Sequence, residues 1–259
     1  QSLSAILVST TSPDSAFPST ACHVQRALGA ESVMAFDLSA SCSGFLYGLS
    51  MADAMIRSGH IRSCLVVAAE VKSRSLDPAD RETAVLFGDG AGAVVLVQEE
   101  SIRPQAAGIL GVRLYAEGAG HDLITIPAGG SRKPSGTETV RGKEHLLRMR
   151  GSAVFRAAIR HLEQAMLELL KEFGLSTVDV RRVIAHQANA RILEQLRRRL
   201  GLPREVLYSV IERYGNTSSA SLPIALDCAV REQRIAAGDV VVLAAFGGGL
   251  TWATGLVRW

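Results

Sequence analysis

The chain has 259 residues, 47% of them apolar and 20% charged, with 28 Lys and Arg against 25 Asp and Glu for a formal charge of +3. That length suits one large domain or two ordinary ones with a sizeable core, and so mild a charge argues against a dedicated nucleic-acid binder. No run of 18 apolar residues, no signal-peptide pattern over residues 1–11 and no CxxC or Cys/His ligand spacing among the four cysteines are present; a membrane span, a disulfide scaffold and a zinc finger are poor readings, and a cytoplasmic α/β protein is expected.

In chain order, apolar runs at 5–8, 33–36, 64–69 and 91–97 predict strands, followed by others at 109–115, 183–185, 206–211, 240–245 and 251–257. After Cys42, the residues Phe45, Leu49, Ala52 and Ile56 recur at helical spacing, and Gly59 marks a stop. A longer helix is predicted over 152–173, with Val154, Ala158, Leu162, Ala165 and Leu169 on one face and Gly174 beyond it. Ile192, Leu196 and Leu200 define another before Gly201. Residues 127–147 are rich in Gly, Ser, Lys and Arg and read as an exposed loop.

An internal repeat is visible at an offset of 174, where Cys42 meets Asn216, Asp53 meets Asp227 and Ile61 meets Ile235. The order strand, helix, strand, helix, strand, glycine-rich strand recurs as well. Two related halves, 1–100 and 101–259, packed about a pseudo-twofold axis are therefore expected. Residues 101–180 precede the matching portion of the second half, whereas the first half starts almost at its matching point. The expectation is that the chain lacks its natural beginning, including a strand that would lie inside the first sheet and at least one helix.

Cys42 falls where a predicted strand gives way to a helix, a place where backbone N–H groups and the helix dipole lower a thiol's pKa. The structural alternative is a small core residue. Cys22, Cys64 and Cys228 fall within predicted helix or strand and read as core. His186 follows the buried run 183–185, at a strand exit where ligands gather in open α/β sheets; its alternative is a hydrogen-bonded structural histidine. His23, His60, His145 and His161 read as solvated, and His121 has no reading. Asn216 is either an N-cap for a helix beginning near Thr217 or, by the repeat, the partner facing Cys42. Gly88-Asp89-Gly90-Ala91-Gly92 and Gly247-Gly248-Gly249 each lead into a strand rather than a helix, which argues against a phosphate loop. A free N–H at such a turn can serve an oxyanion.

Collinear motifs carry a family resemblance over nearly the whole chain. They are Ala16-Phe17-Pro18-Ser19, Asp37 to Phe45 around Cys42, Asp77 to Arg81, and Phe87 to Gly92, then His186 to Arg191, Tyr214 to Ser219 and Phe246 to Trp252. The chain resembles the β-ketoacyl-acyl-carrier-protein synthase III family of the thiolase superfamily. The resemblance implies a thiolase-like α/β fold of two βαβ halves in a five-layered αβαβα arrangement, the first half incomplete at its N-terminus. It implies decarboxylative condensation of an acyl-CoA primer with malonyl-acyl-carrier protein, through an acyl-enzyme on Cys42 and a Cys42–His186–Asn216 triad. The N–H groups of Cys42 and Gly248 would form the oxyanion hole. Phe17, reaching across a homodimer, and Phe87 would line the acyl pocket. Arg81, Gly151, Phe155, Ala188 and Asn189 would border the coenzyme A channel. Arg191, Arg198 and Arg199 would meet the acidic carrier protein, although an ordinary solvated face is the alternative for them. No metal, bound cofactor, nucleic acid or membrane partner is implied.

Three departures stand out. The family's N-terminal segment has no counterpart here, Glu82 follows Arg81 where glycine is common, and the loop at 127–147 is long and basic. Competing readings are a starter-unit condensing enzyme of polyketide or quinolone synthesis, a Cys–His–Asn hydrolase of papain type, and an inactive truncated fragment.

Overall fold

The computed structural model describes residues 3–99 and 107–259, so the expected boundary between halves at 100/101 lies outside the described residues. The first half runs β1 (Ala5–Ser9), α1 (Thr20–Leu28), β2 (Met34–Leu38), α2 (Gly44–Arg57), β3 (Ser63–Glu70) and β4 (Gly90–Val97). The second begins with β5 (Gly108–Ala116), β6 (Ile124–Thr125), α3 (Thr137–Arg141), β7 (Arg148–Met149), α4 (Gly151–Glu172) and β8 (Arg182–Ala185). It continues through α5 (Ala190–Arg199), β9 (Leu207–Tyr208), α6 (Ile211–Tyr214), α7 (Ser221–Arg231), β10 (Val240–Gly247) and β11 (Thr251–Arg258).

One sheet has the order β2-β1-β3-β4 and the other β5-β11-β10-β8-β9. In each, three parallel strands are followed by an antiparallel one, β4 or β11. The sheets thus repeat each other, and β5 is extra. It pairs along β11 at an edge of the second sheet. Strands buried on both faces read as unbroken apolar runs, which is why β1 and most of β10 carry no alternation.

Three apolar clusters define five layers, the thiolase-like arrangement. Phe45, Leu46 and Leu49 of α2 pack with Leu222, Ala225 and Ala229 of α7 between the inner faces of both sheets. Leu162, Leu169 and Leu196 on α4 and α5 cover the outer face of the second sheet. Ala21 and Val24 of α1 pack on Ile6 and Val8 outside the first.

The repeat holds with a change of register. Tight turns at Ser41–Ser43 and Ser218–Ala220 introduce α2 and α7, and each opens on a serine of positive φ, 48° and 54°. These turns are offset by 177 residues, as are the starts of β3 and β10. The helix ends keep the offset of 174, with Arg57 on Asp53 and Arg231 on Asp227 in matching ion pairs. The difference is absorbed because α2 has 14 residues and α7 has 11. Three residues are close to one helical turn, so the buried face is retained. Cys42 therefore stands opposite Ser219, not Asn216.

Other expectations need correction. The run at 206–211 forms only the short β9 before turning into α6, and α3 adds a helical turn within 127–147. That segment is tied down by Lys143 on Asp77 at 2.7 Å and by Leu147 N donating to Ser75 O at 2.7 Å. His161 is not simply solvated: it stacks on Trp252 at 4.1 Å between centroids and meets Glu117 at 3.3 Å. Cys64 and Cys228 are buried, while Cys22 is half-buried beside the Ser19 hydroxyl.

Phe45 is fully buried in the central layer, where both sheets bear on it. Phe45→Ala should cost about 3–5 kcal/mol of stability, read as a lowered urea midpoint with an unchanged slope.

Candidate active site

A cleft of about 1190 Å³ opens between the halves. Its walls come from the turn ahead of α2, the segment between β3 and β4, the start of α4, the exit of β8, and the turns before α7 and β11. Cys42, His186, Asn216 and Gly248 all line it.

Cys42 sits in the Ser41–Ser43 turn, whose first residue has the left-handed backbone noted above. The turn is stitched to β11: Ser43 Oγ donates to Thr251 O at 3.0 Å, and Thr251 Oγ1 donates to Ala40 O at 2.9 Å. A Cβ at Gly247 would lie 2.6 Å from Cys42 N, so only glycine permits the end of β10 to come this close. Gly248 is consequently held against the Cys42 turn, with Ser41 Oγ 3.3 Å from its notional Cβ. Burial pushes the Cys42 thiol above its ordinary value, against the expectation of a thiol lowered by the helix N-terminus. The Ser218 hydroxyl, 3.4 Å from Sγ, and the Lys72 ammonium pull it back, and the Glu70 carboxylate pushes it up.

His186 leaves β8 with its backbone N–H donating to Ala244 O at 2.7 Å. It is 4% exposed, and burial pushes its pKa down to about 4, so the ring is neutral at physiological pH. Nδ1 lies 2.5 Å from Ser221 Oγ, which is also 2.9 Å from Ser218 O. When Ser221 donates to Ser218 O, the ring proton sits on Nδ1 and Nε2 is an acceptor. When Ser221 donates to Nδ1, Nε2 carries the proton and is a donor. Gln187 is wholly buried and structural, accepting from Ser209 Oγ and Val210 N at 3.0 Å each.

Asn216 is fixed at both ends. Its N–H donates to Leu86 O at 2.8 Å and its carbonyl accepts from Gly88 N at 2.9 Å, joining the second half to the segment that carries Phe87. Its Oδ1 accepts from Ser218 N at 2.9 Å, so the side-chain NH₂ is the end turned outward, donating to Ala188 O at 3.4 Å. The helix expected near Thr217 begins instead with a tight turn at Ser218.

Arg81, Phe87, Gly151, Phe155, Ala188, Asn189 and Arg191 also border the cleft. Asn189 doubles as the N-cap of α5, accepting from Ile192 N at 2.9 Å. Phe17 lies outside the cleft with 88% of its surface exposed. Arg198 and Arg199 lie away from it too, paired with Glu194 at 2.6 Å and Glu163 at 2.7 Å. Sequence reasoning passed over Lys72, Thr11, Ser218 and Arg156, all of which line the cleft. A Glu-Val-Lys exit from a buried strand and a serine pair after Asn216 were the available signals. Among the described residues, no group of three or more His, Cys, Asp or Glu is placed to hold a metal ion. No helix among them is long and apolar enough to cross a membrane.

Comparison with known proteins agrees with this architecture. The family model for 3-oxoacyl-[acyl-carrier-protein] synthase III matches residues 36–118, and the model for the C terminal part of that family matches 170–259. A β-ketoacyl-[acyl-carrier-protein] synthase III from Erythrobacter litoralis is 49% identical over 100% of this chain and 78% of its own length. One from Caldanaerobacter subterraneus is 46% identical over 100% of this chain and 77% of its own. The crystal structure of 3-oxoacyl-[acyl-carrier-protein] synthase III from Aquifex aeolicus superposes with a TM-score of 0.89 at 42% identity, covering 99% of this chain and 77% of that one.

The depressed His186 pKa has a consequence for stability. The unfolded chain takes up this proton near pH 6.5 and the folded one only near 4, so stability falls as pH is lowered through that window. The full contribution is about 3 kcal/mol. His186→Gln should flatten the fall in unfolding free energy between pH 7.5 and about pH 4.5, measured by urea titration.

Proposed function

Because this chain belongs to the 3-oxoacyl-[acyl-carrier-protein] synthase III family, and is an acyltransferase of that condensing type, we propose that it joins an acyl-CoA primer to malonyl-acyl-carrier protein through an acyl-enzyme on Cys42. The observation that supports this most directly is the convergence of a thiol, a neutral imidazole and an oriented amide from both halves in one cleft. The product is a 3-oxoacyl-acyl-carrier protein, the first step of fatty-acid synthesis.

In the first half-reaction, Cys42 sulfur attacks the thioester carbonyl. The thiol is raised by burial, so it needs a proton acceptor, and the tautomer of His186 with a bare Nε2 supplies one. The N–H groups of Cys42 and Gly248 hold the tetrahedral oxyanion. Coenzyme A leaves with the proton, and the acyl group stays on sulfur. No bound cofactor takes part; coenzyme A enters as a substrate thioester past Arg81, Phe155 and Asn189.

In the second, malonyl-acyl-carrier protein loses CO₂, and the electron pair left behind is delocalised onto the thioester oxygen. Two neutral donors suit that developing charge: His186 Nε2–H, in the other tautomer, and Asn216 Nδ2–H. The carbanion attacks the acyl thioester, and collapse of the adduct returns Cys42. Phe87 lines the acyl end of the cleft. Arg191, at its mouth, is the first docking contact for the acidic carrier; Arg198 and Arg199 are exposed enough to trade their present partners for it. The exposure of Phe17 fits a homodimer in which it enters the partner's acyl pocket. This reading places the enzyme in the cytoplasm.

Cys42→Ala should abolish acyl-enzyme formation, read by intact-protein mass after exposure to acyl-CoA. Asn216→Ala should still gain the acyl mass yet lose CO₂ release from malonyl-carrier protein by about 10²–10³-fold. His186→Ala should lose decarboxylation to the same degree. If His186→Ala decarboxylates normally but cannot be acylated, the enolate-holding role assigned to His186 is wrong.

A further inference from the structure

Lys72 follows the end of β3 and is 5% exposed, a position lysine scarcely takes without a partner. Its Nζ lies 3.1 Å from Oε2 of Glu70, which is 2% exposed, and it also donates to Thr11 Oγ1. Glu70 is surrounded by donors. Oε2 accepts from Thr11 N at 3.1 Å and Ser12 Oγ at 2.8 Å, and Oε1 accepts from Ser219 Oγ at 2.9 Å and Ser218 Oγ at 3.2 Å. Ion pairs this deep add little stability over an apolar pair of similar volume, so stability alone does not account for one here.

Its location does. Lys72 and Cys42 line the same cleft, and the Ser218 hydroxyl touches both Glu70 Oε1 and Cys42 Sγ. A hydroxyl has one proton to give. With Cys42 as a thiol, Ser218 donates to Glu70. With Cys42 as a thiolate, the proton is worth more on sulfur, and Glu70 keeps Thr11, Ser12, Ser219 and Lys72. The other charged or titratable groups near this point are few. His186, at the exit of β8, is neutral. Asp89, ahead of β4, accepts from Ser73 N at 2.8 Å and lies against the Lys72 turn. Arg81, Glu82, Arg156 and Arg191 also border the cleft.

We propose that Lys72, clamped by Glu70, is a positioning residue that sets the charge state of Cys42, with Ser218 as the hydroxyl that links the ion pair to the nucleophile. Lys72 supplies the positive charge that favours the thiolate, and Glu70 holds that charge in place while tempering it. The inference rests on Cys42 being the nucleophile.

The test is the pH dependence of Cys42 alkylation by iodoacetamide, followed by the mass of the Cys42 peptide. Lys72→Met should raise the midpoint by about one unit, making alkylation at pH 7 about tenfold slower, and Lys72→Arg should restore it. Glu70→Gln should shift the midpoint the opposite way, and Glu70→Gln with Lys72→Met should return it towards the starting value. A merely structural pair would move the single variants together or not at all, and either result overturns the proposal. Should Lys72→Met fail to fold, a midpoint for Glu70→Gln that is not below that of the double variant overturns it equally. Acylation of the unaltered protein is scored separately. Failure of Cys42 to gain the acyl mass defeats the nucleophile reading, and the alkylation shifts remain readable regardless.

Discussion

The close approach of Gly247 to Cys42 constrains everything around it. A side chain at 247 would collide with the Cys42 backbone at 2.6 Å, so the end of β10 can abut the turn ahead of α2 only through bare backbone. That contact brings the end of the second half's central strand against Cys42 of the first. It also delivers the glycine turn before β11 to the cleft, where backbone N–H groups can face a reacting carbonyl without any side chain intervening. The bridge between Asn216 and the backbone of Leu86 and Gly88 makes the reciprocal link, from the second half into the first.

These two contacts explain why the site is rich in buried polar groups that nonetheless suit a folded protein. His186, Asn216, Glu70, Lys72 and Ser218 are each nearly removed from water. Every one has a named partner within the cleft wall: Ser221 for His186, Ser218 N–H for Asn216, and Lys72 with four hydrogen-bonding residues for Glu70. Burial neutralises the imidazole and resists ionising the thiol. What the buried wall of the cleft offers is oriented dipoles and the buried Lys72 ammonium, groups that act more strongly out of bulk water.

The pseudo-symmetric halves diverge at matching positions. Both halves form a tight turn with a left-handed serine before an inward helix, at Ser41 and Ser218. In one half the next residue is Cys42. In the other it is Ser219, whose hydroxyl donates to Glu70, while Asn216 lies upstream of the turn. Shortening α7 by nearly a turn keeps its buried face while freeing the residues ahead of it to diverge.

The sequence by itself determined the local architecture. Apolar runs gave the long strands, and the spacing of Phe45, Leu49, Ala52 and Ile56 gave α2, because one face of each element must be buried whatever lies opposite. It also marked Cys42, His186 and Asn216 through motifs at element ends, and the family through their collinear order. Tertiary structure alone decided the rest. The offset of 174 paired Cys42 with Asn216 because the helix ends dominate the match; only the turn geometry revealed the offset of 177. The direction of the Cys42 shift depended on how much water the facing half excludes, which no local pattern encodes. Arg198 and Arg199 were expected to meet a carrier protein or to form a solvated face, and their pairing with Glu194 and Glu163 is visible only in the fold. Local periodicity does not single out Glu70 and Lys72; only the fold brings Thr11, Ser218 and Ser219 over them. Periodicity reports which face of an element is buried, whereas charge and reactivity depend on groups distant in sequence that only folding brings within a few ångströms.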